Sequence, residues 1–154
     1  MIKIVNGDLL EAKENIICHA CNCMGVMGSG VAKQIRNKYP QVYKEYLEKV
    51  NEYTQGEDLR KALLGQVQGV VVSEDKIVVN MFSQYKFGND GKQYTDIEAL
   101  FKCLLTVRQV AERNKISVAM PYKIGSYRGG AKWDEVEELI LRAFNGYDVT
   151  LYKL

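Results

Sequence analysis

The sequence has no apolar run approaching the ~20 residues that a membrane-spanning helix needs. No block of five or six like charges occurs either, and the formal net charge is only +2. That balance argues against a phosphate-tracking stripe for extended nucleic acid, while leaving room for a small anion. The chain has one histidine, His19, and four cysteines, Cys18, Cys21, Cys23 and Cys103. Three of those thiols crowd beside the histidine, which suggests zinc. A closed zinc site, however, needs four ligands converging on one point. Cys18 and His19 are neighbours on an apparent strand, so their side chains point to opposite faces, and there is no second cluster. We therefore expect no metal, no cofactor and reduced thiols. Internal repeats, low-complexity tracts and linkers are missing too, so residues 1–154 read as one domain. Met1 to Asp8 reads as a strand and turn rather than a signal sequence, which places the protein in the cytoplasm, or in the nucleus of a eukaryote, away from membranes.

Six short β-branched runs read as strands: Ile2–Val5, Ile16–Ala20, Leu64–Val72, Ile77–Phe82, Ile116–Met120 and Val149–Tyr152. The gaps between them carry helical periodicity. One helix runs from about Val31 to Tyr39. Pro40 opens another, with Val42, Tyr46 and Val50 on one face. Thr95-Asp96-Ile97-Glu98 reads as a capping box before Leu100, Leu104, Val107 and Ala111, and Trp133 to Phe144 is the last helix. Ser73-Glu74-Asp75 reads as a hairpin turn. Together these predict a three-layer α/β/α fold around a mixed sheet of six strands or slightly more.

Two glycine-rich loops stand out. Cys21-Asn22-Cys23-Met24-Gly25-Val26-Met27-Gly28-Ser29-Gly30-Val31 follows a strand and opens a helix. Glycine lets backbone N–H groups approach a ligand, and a helix N-terminus supplies unpaired donors and partial positive charge. The loop lacks the Gly-Lys-Ser/Thr of a Walker A motif. It also misses Gly-x-Gly-x-x-Gly, because Lys33 stands where the third glycine belongs. The second loop, Lys123-Ile124-Gly125-Ser126-Tyr127-Arg128-Gly129-Gly130, again follows a strand and leads to a helix. In an open α/β sheet both loops lie outside the carboxyl ends of strands, where they could grip a diphosphate from two sides.

Over nearly its whole length the chain resembles the macrodomain family. The resemblance rests on Gly7-Asp8, the run from His19 to Gly30, Tyr39-Pro40, Asn80-Met81-Phe82, Ile124-Gly125-Ser126 and Thr150 to Leu154. It is most similar to the branch that dephosphorylates ADP-ribose 1″-phosphate. The resemblance implies ADP-ribose or ADP-ribose 1″-phosphate as ligand, with ADP-ribosylated macromolecules as further partners. It implies that Asp8, with the Leu9 backbone beside it, takes the adenine amino group, and that Tyr152 and Leu154 pack on the base. Asn22 would meet the distal ribose. Gly25, Val26, Met27, Gly28, Ser29, Gly30 and Val31 would surround the diphosphate and distal ribose. Ile124, Gly125, Ser126, Tyr127, Arg128 and Gly129 would flank the other side.

As the one side chain with an ordinary pKa near neutrality, His19 is the candidate acid, base or orienter of water, and Glu135 is a weaker second. Plainer roles compete with each assignment. Asp8 can also be read as a turn residue, Asn22 as an Asx-turn former, Tyr152 as a core aromatic and His19 as a packed strand residue. Glu135 complements a helix dipole in any case. Two other activities share the same cleft. One is removal of ADP-ribose from protein or DNA, against which Phe82-Ser83-Gln84 counts, with no lysine until Lys86. The other is binding without turnover.

Overall fold

The computed structural model describes residues 1–53 and 59–154. Six strands form one sheet: β1 (Ile2–Asn6), β2 (Ile16–Asn22), β3 (Val67–Ser73), β4 (Lys76–Gln84), β5 (Val118–Pro121) and β6 (Val149–Lys153). Their order is β1-β6-β5-β2-β4-β3. Every neighbouring pair is parallel except β3–β4, which is the antiparallel hairpin closed by Ser73–Lys76. Helices α1 (Gly30–Lys38) and α2 (Pro40–Asn51) cover one face, and α3 (Ile97–Asn114) and α4 (Trp133–Ala143) cover the other.

Alternation along the strands feeds both layers. Cys18, Val79, Met81 and Met120 join the α3/α4 core with Leu100, Leu104, Val107 and Ala111. Cys21, Val78 and Phe82 join the α1/α2 core with Ile35, Val42, Tyr46 and Val50. Strands buried on both faces are what a mostly parallel sheet requires. No helix among the described residues is long and apolar enough to cross a membrane.

Local chemistry corrects several boundaries. The second strand runs on through Cys21 and Asn22, and its register with β4 shifts there. β3 begins at Val67, because Leu59–Leu63 coils into a 3-10 turn and Gly65 turns the chain at φ +87°. The cap of α3 is Asp96, whose carboxylate accepts from the Ala99 N–H. Thr95 instead donates its hydroxyl to the Gly125 carbonyl at 2.8 Å. The result that matters for the site is directional. The five parallel strands end at one edge, which collects the two glycine loops, the β4–α3 connection, Asp8 and the end of β6.

Candidate functional site

At that edge lies a cleft of about 670 Å³. Its floor is the end of β2, from His19 to Asn22. One wall is the first glycine loop and the start of α1. The opposite wall is Pro121 to Gly125 with Tyr127, Arg128 and Gly129. A third side, Gln84 with Phe87, Gly88 and Asn89, comes from the β4–α3 connection.

The first loop is shaped by Asn22. Its Oδ1 accepts from the Met24 N–H at 2.9 Å, from the Val26 N–H at 3.4 Å and from the Tyr46 hydroxyl at 2.8 Å. Its amide donates to the Val26 carbonyl at 2.8 Å. A buried amide so fully engaged builds the turn, and its remaining Nδ2 hydrogen is what it has left for a ligand. Gly25, at φ +83°, is part of the same turn and receives support from Tyr46, while Met27 sinks into the α1/α2 core. Neither lines the cleft. Val26, Gly28, Ser29, Gly30 and Val31 do. The first intrahelical bond of α1 is Lys33 N–H to the Ser29 carbonyl, so the amides of Gly30, Val31 and Ala32 precede the ladder. No side chain caps that end and its first turn holds no acidic residue. The donors and the positive end of the dipole thus face the cleft uncompensated.

The second loop is fastened to the β4–α3 connection. The Tyr94 and Thr95 N–H groups donate to the Gly129 carbonyl at 2.7 and 2.9 Å, and the Ala131 N–H donates to Gly125 at 3.1 Å. A Cβ on Gly129 would overlap Thr95 Oγ1, so glycine is required there by packing. Ser126 turns its hydroxyl inward, away from the cleft, with no partner among the described residues. Tyr127 stands at the tip, 84% exposed. The Arg128 side chain reaches across, its Nε 3.7 Å from where a Gly30 Cβ would lie. Lys123, at φ +61°, is the other cation. No aspartate or glutamate lines the cleft among the described residues.

His19 is 1% exposed, and its Nε2 lies 2.6 Å from Asn80 Oδ1. Burial pushes its pKa down to about 4, against a smaller upward pull from Asn80. Burial thus favours the uncharged imidazole at neutral pH, and of the roles expected for His19 this bears against general acid and leaves acceptor and orienter of water. Glu135, the weaker candidate, is exposed on α4 and lies outside the cleft lining.

The implied adenine residues lie beyond the enclosed part, along the same edge. Asp8 Oδ1 accepts from the Leu10 N–H at 2.9 Å, capping a 3-10 turn, and Leu9 is buried beneath it. The Tyr152 ring lies 3.6 Å from where a Gly7 Cβ would be, and its hydroxyl donates to Glu14 at 2.7 Å. Leu154 is 92% exposed. Sequence reasoning missed Phe87 and Asn89. The available signal was the turn-forming run Phe87-Gly88-Asn89-Asp90-Gly91, placed between a strand and a capped helix.

Comparison with known proteins places this geometry among relatives. The macro domain family model matches residues 18–140. A DNA ADP-ribosyl glycohydrolase of Mycobacterium tuberculosis is 33% identical over 146 residues, covering 94% of this chain and 39% of the relative. The chain thus spans about two fifths of that protein. An ADP-ribose 1″-phosphate phosphatase of Saccharomyces cerevisiae is 26% identical over 179 residues, covering 99% of this chain and 98% of the relative. The solved macrodomain of Mycobacterium tuberculosis DarG superposes with a TM-score of 0.80 at 26% identity, covering 99% of this chain and 97% of that one.

Proposed function

The chain belongs to the macro domain family, and from that premise we propose that its cleft binds ADP-ribose and releases phosphate from ADP-ribose 1″-phosphate. The observation that carries this reading is a cleft with an uncapped helix N-terminus, two cations and no carboxylate among its described lining residues. Such a site favours an anionic diphosphate and repels nothing from it. Asp8, Leu9, Tyr152 and Leu154 extend it along the edge toward the adenine. The yeast phosphatase, matched end to end, supports the same assignment.

The chemistry fits what the cleft offers. Phosphoryl transfer needs charge neutralisation and an aligned nucleophile more than covalent participation. The amides from Gly28 to Ala32, with Arg128, neutralise the phosphoryl oxygens. A water oxygen attacks phosphorus as the bond to the 1″ oxygen breaks, and the water's proton passes to that leaving oxygen. The products are ADP-ribose and inorganic phosphate.

A second reading follows from the mycobacterial glycohydrolase, which has the higher identity of the two curated relatives described. In that reading the cleft frees ADP-ribose from modified DNA or protein. Gln84, not a lysine, lines the cleft at the end of β4, which favours the phosphatase. One experiment separates them. The protein is incubated with ADP-ribose 1″-phosphate, ADP-ribosylated protein and ADP-ribosylated DNA, and phosphate and ADP-ribose are quantified. Phosphate from the first substrate alone is expected; ADP-ribose from either macromolecule, without phosphate release, would transfer the assignment to the second reading. Tight ADP-ribose binding with no product from any of the three would leave a binder.

A further inference from the structure

A line of polar side chains leaves the cleft floor and crosses the sheet beneath α2, and one backbone atom at its far end fixes the direction of every bond in it. Gln68 on β3 approaches the Glu45 carbonyl with its Nε2 at 2.9 Å. A carbonyl only accepts, so Gln68 must present its N–H₂ there and turn Oε1 inward. Asn80 on β4 meets that oxygen with Nδ2 at 3.0 Å, which leaves Oδ1 for His19 Nε2 at 2.6 Å. An oxygen facing Nε2 requires Nε2 to carry the proton. In a neutral ring Nδ1 is then the lone pair. Cys21 Sγ lies 3.5 Å from Nε2 and 3.9 Å from Nδ1, and since Nε2 is already a donor, only Nδ1 can accept from the thiol. Burial keeps that thiol protonated, its pKa raised well above 9.0. The contact with Nδ1 is long, so an incoming O–H displaces it at little cost.

We propose that Asn80 and Gln68 are positioning residues that lock His19 in the Nε2–H tautomer, so that it serves the cleft as a neutral acceptor through Nδ1. The group received there is an O–H, either the attacking water or a distal-ribose hydroxyl. Gln68 acts wholly through Asn80. The inference rests on ADP-ribose binding in this cleft but not on which bond is cleaved.

His19 is the only histidine, so tag-free protein labelled with ¹⁵N-histidine gives two unambiguous ring resonances. Long-range ¹H–¹⁵N spectra of the ligand-free protein at pH 7 should show a protonated Nε2 and an unprotonated Nδ1. Saturating ADP-ribose should then move Nδ1 and leave Nε2 nearly still. Gln68→Leu removes the anchor, lets the Asn80 amide turn over, and should mix the tautomers. In that variant kcat/KM on ADP-ribose 1″-phosphate should fall about fivefold, the weight of one net hydrogen bond, through kcat if Nδ1 receives the water and through KM if it receives the ribose hydroxyl. A protonated Nδ1 in the wild type would overturn the proposal, as would an Nδ1 resonance indifferent to ADP-ribose. A pure Nε2–H tautomer in folded Gln68→Leu would remove Gln68 from it. The wild-type spectra need no variant to fold. Correct spectra with no phosphate release would count against the phosphatase reading alone.

Discussion

Burying His19 uncharged makes stability depend on pH in a way that one residue should dominate. Its folded pKa, about 4, lies below the unfolded value of 6.5. Between those values the unfolded chain binds a proton that the folded chain refuses, so stability rises with pH across the window and is lost as pH falls from 6.5 toward 4. Each unit corresponds to about 1.36 kcal/mol. At pH 5 the imidazole should therefore cost about 2 kcal/mol relative to pH 7.5, and near pH 4 about 3. In a domain of this size 2 kcal/mol is worth about 4–8 °C in Tm. Carboxylates also titrate near the lower limit, so the comparison is with His19→Gln, which keeps a donor for Asn80 but does not titrate there. Urea unfolding of both proteins at pH 7.5, 6.5, 5.5 and 5.0 gives the difference directly. The gap between them should narrow by about 2 kcal/mol on going down to pH 5. A gap constant within error across that range would mean that the imidazole accepts its proton in the folded state, and the neutral-acceptor role would fall with it.

Three further outcomes follow from the loops and the edge. Gly28→Val should abolish ADP-ribose binding by calorimetry while Tm barely moves. A Cβ there meets only Val26, at 3.4 Å, so the substituent fills cleft rather than core; retained affinity would make the loop merely structural. Gly129→Ala should do the opposite, destabilising by about 1–3 kcal/mol in urea because Thr95 Oγ1 and the Gly125 carbonyl occupy its Cβ position. Wild-type stability would show the loop is not held as described. Asp8→Ala should weaken ADP-ribose by about 1.5–3 kcal/mol and erode its preference over the hypoxanthine analogue, which lacks the amino donor; unchanged selectivity would reduce Asp8 to the cap of its turn.

The architecture was legible because its signals are local. Alternating β-branched runs, a proline opening α2 and a short polar hairpin each act within a few residues, and all six strands and four helices followed from them. The glycine loops were legible for the same reason. What sequence could not give was side-chain direction inside a loop. Met27 and Ser126 sit among cleft residues in sequence, yet one fills core and the other turns inward. Pairings across long separations were equally hidden. Nothing near Thr95 announces that its hydroxyl belongs to Gly125, thirty residues on, or that His19 answers to Asn80. The burial that lowers the pKa of His19 was hidden as well, so the histidine read as a titrating group.

The fastening of the second loop to the β4–α3 connection has a mechanical consequence. Gly129 is held by two amides from residues 94 and 95, and Thr95 in turn holds Gly125. Phe87 and Arg128 therefore stand on walls tied to a common frame, with the long α3 rooted behind them. The other jaw, the stretch from Met24 to Ser29, stands on the amide of Asn22, the hydroxyls of Tyr46 and Tyr43 and the burial of Met27 in the α1/α2 core. One jaw is an anvil whose conformational entropy is already lost when the chain folds. Affinity lost by loosening the anvil should appear as faster release.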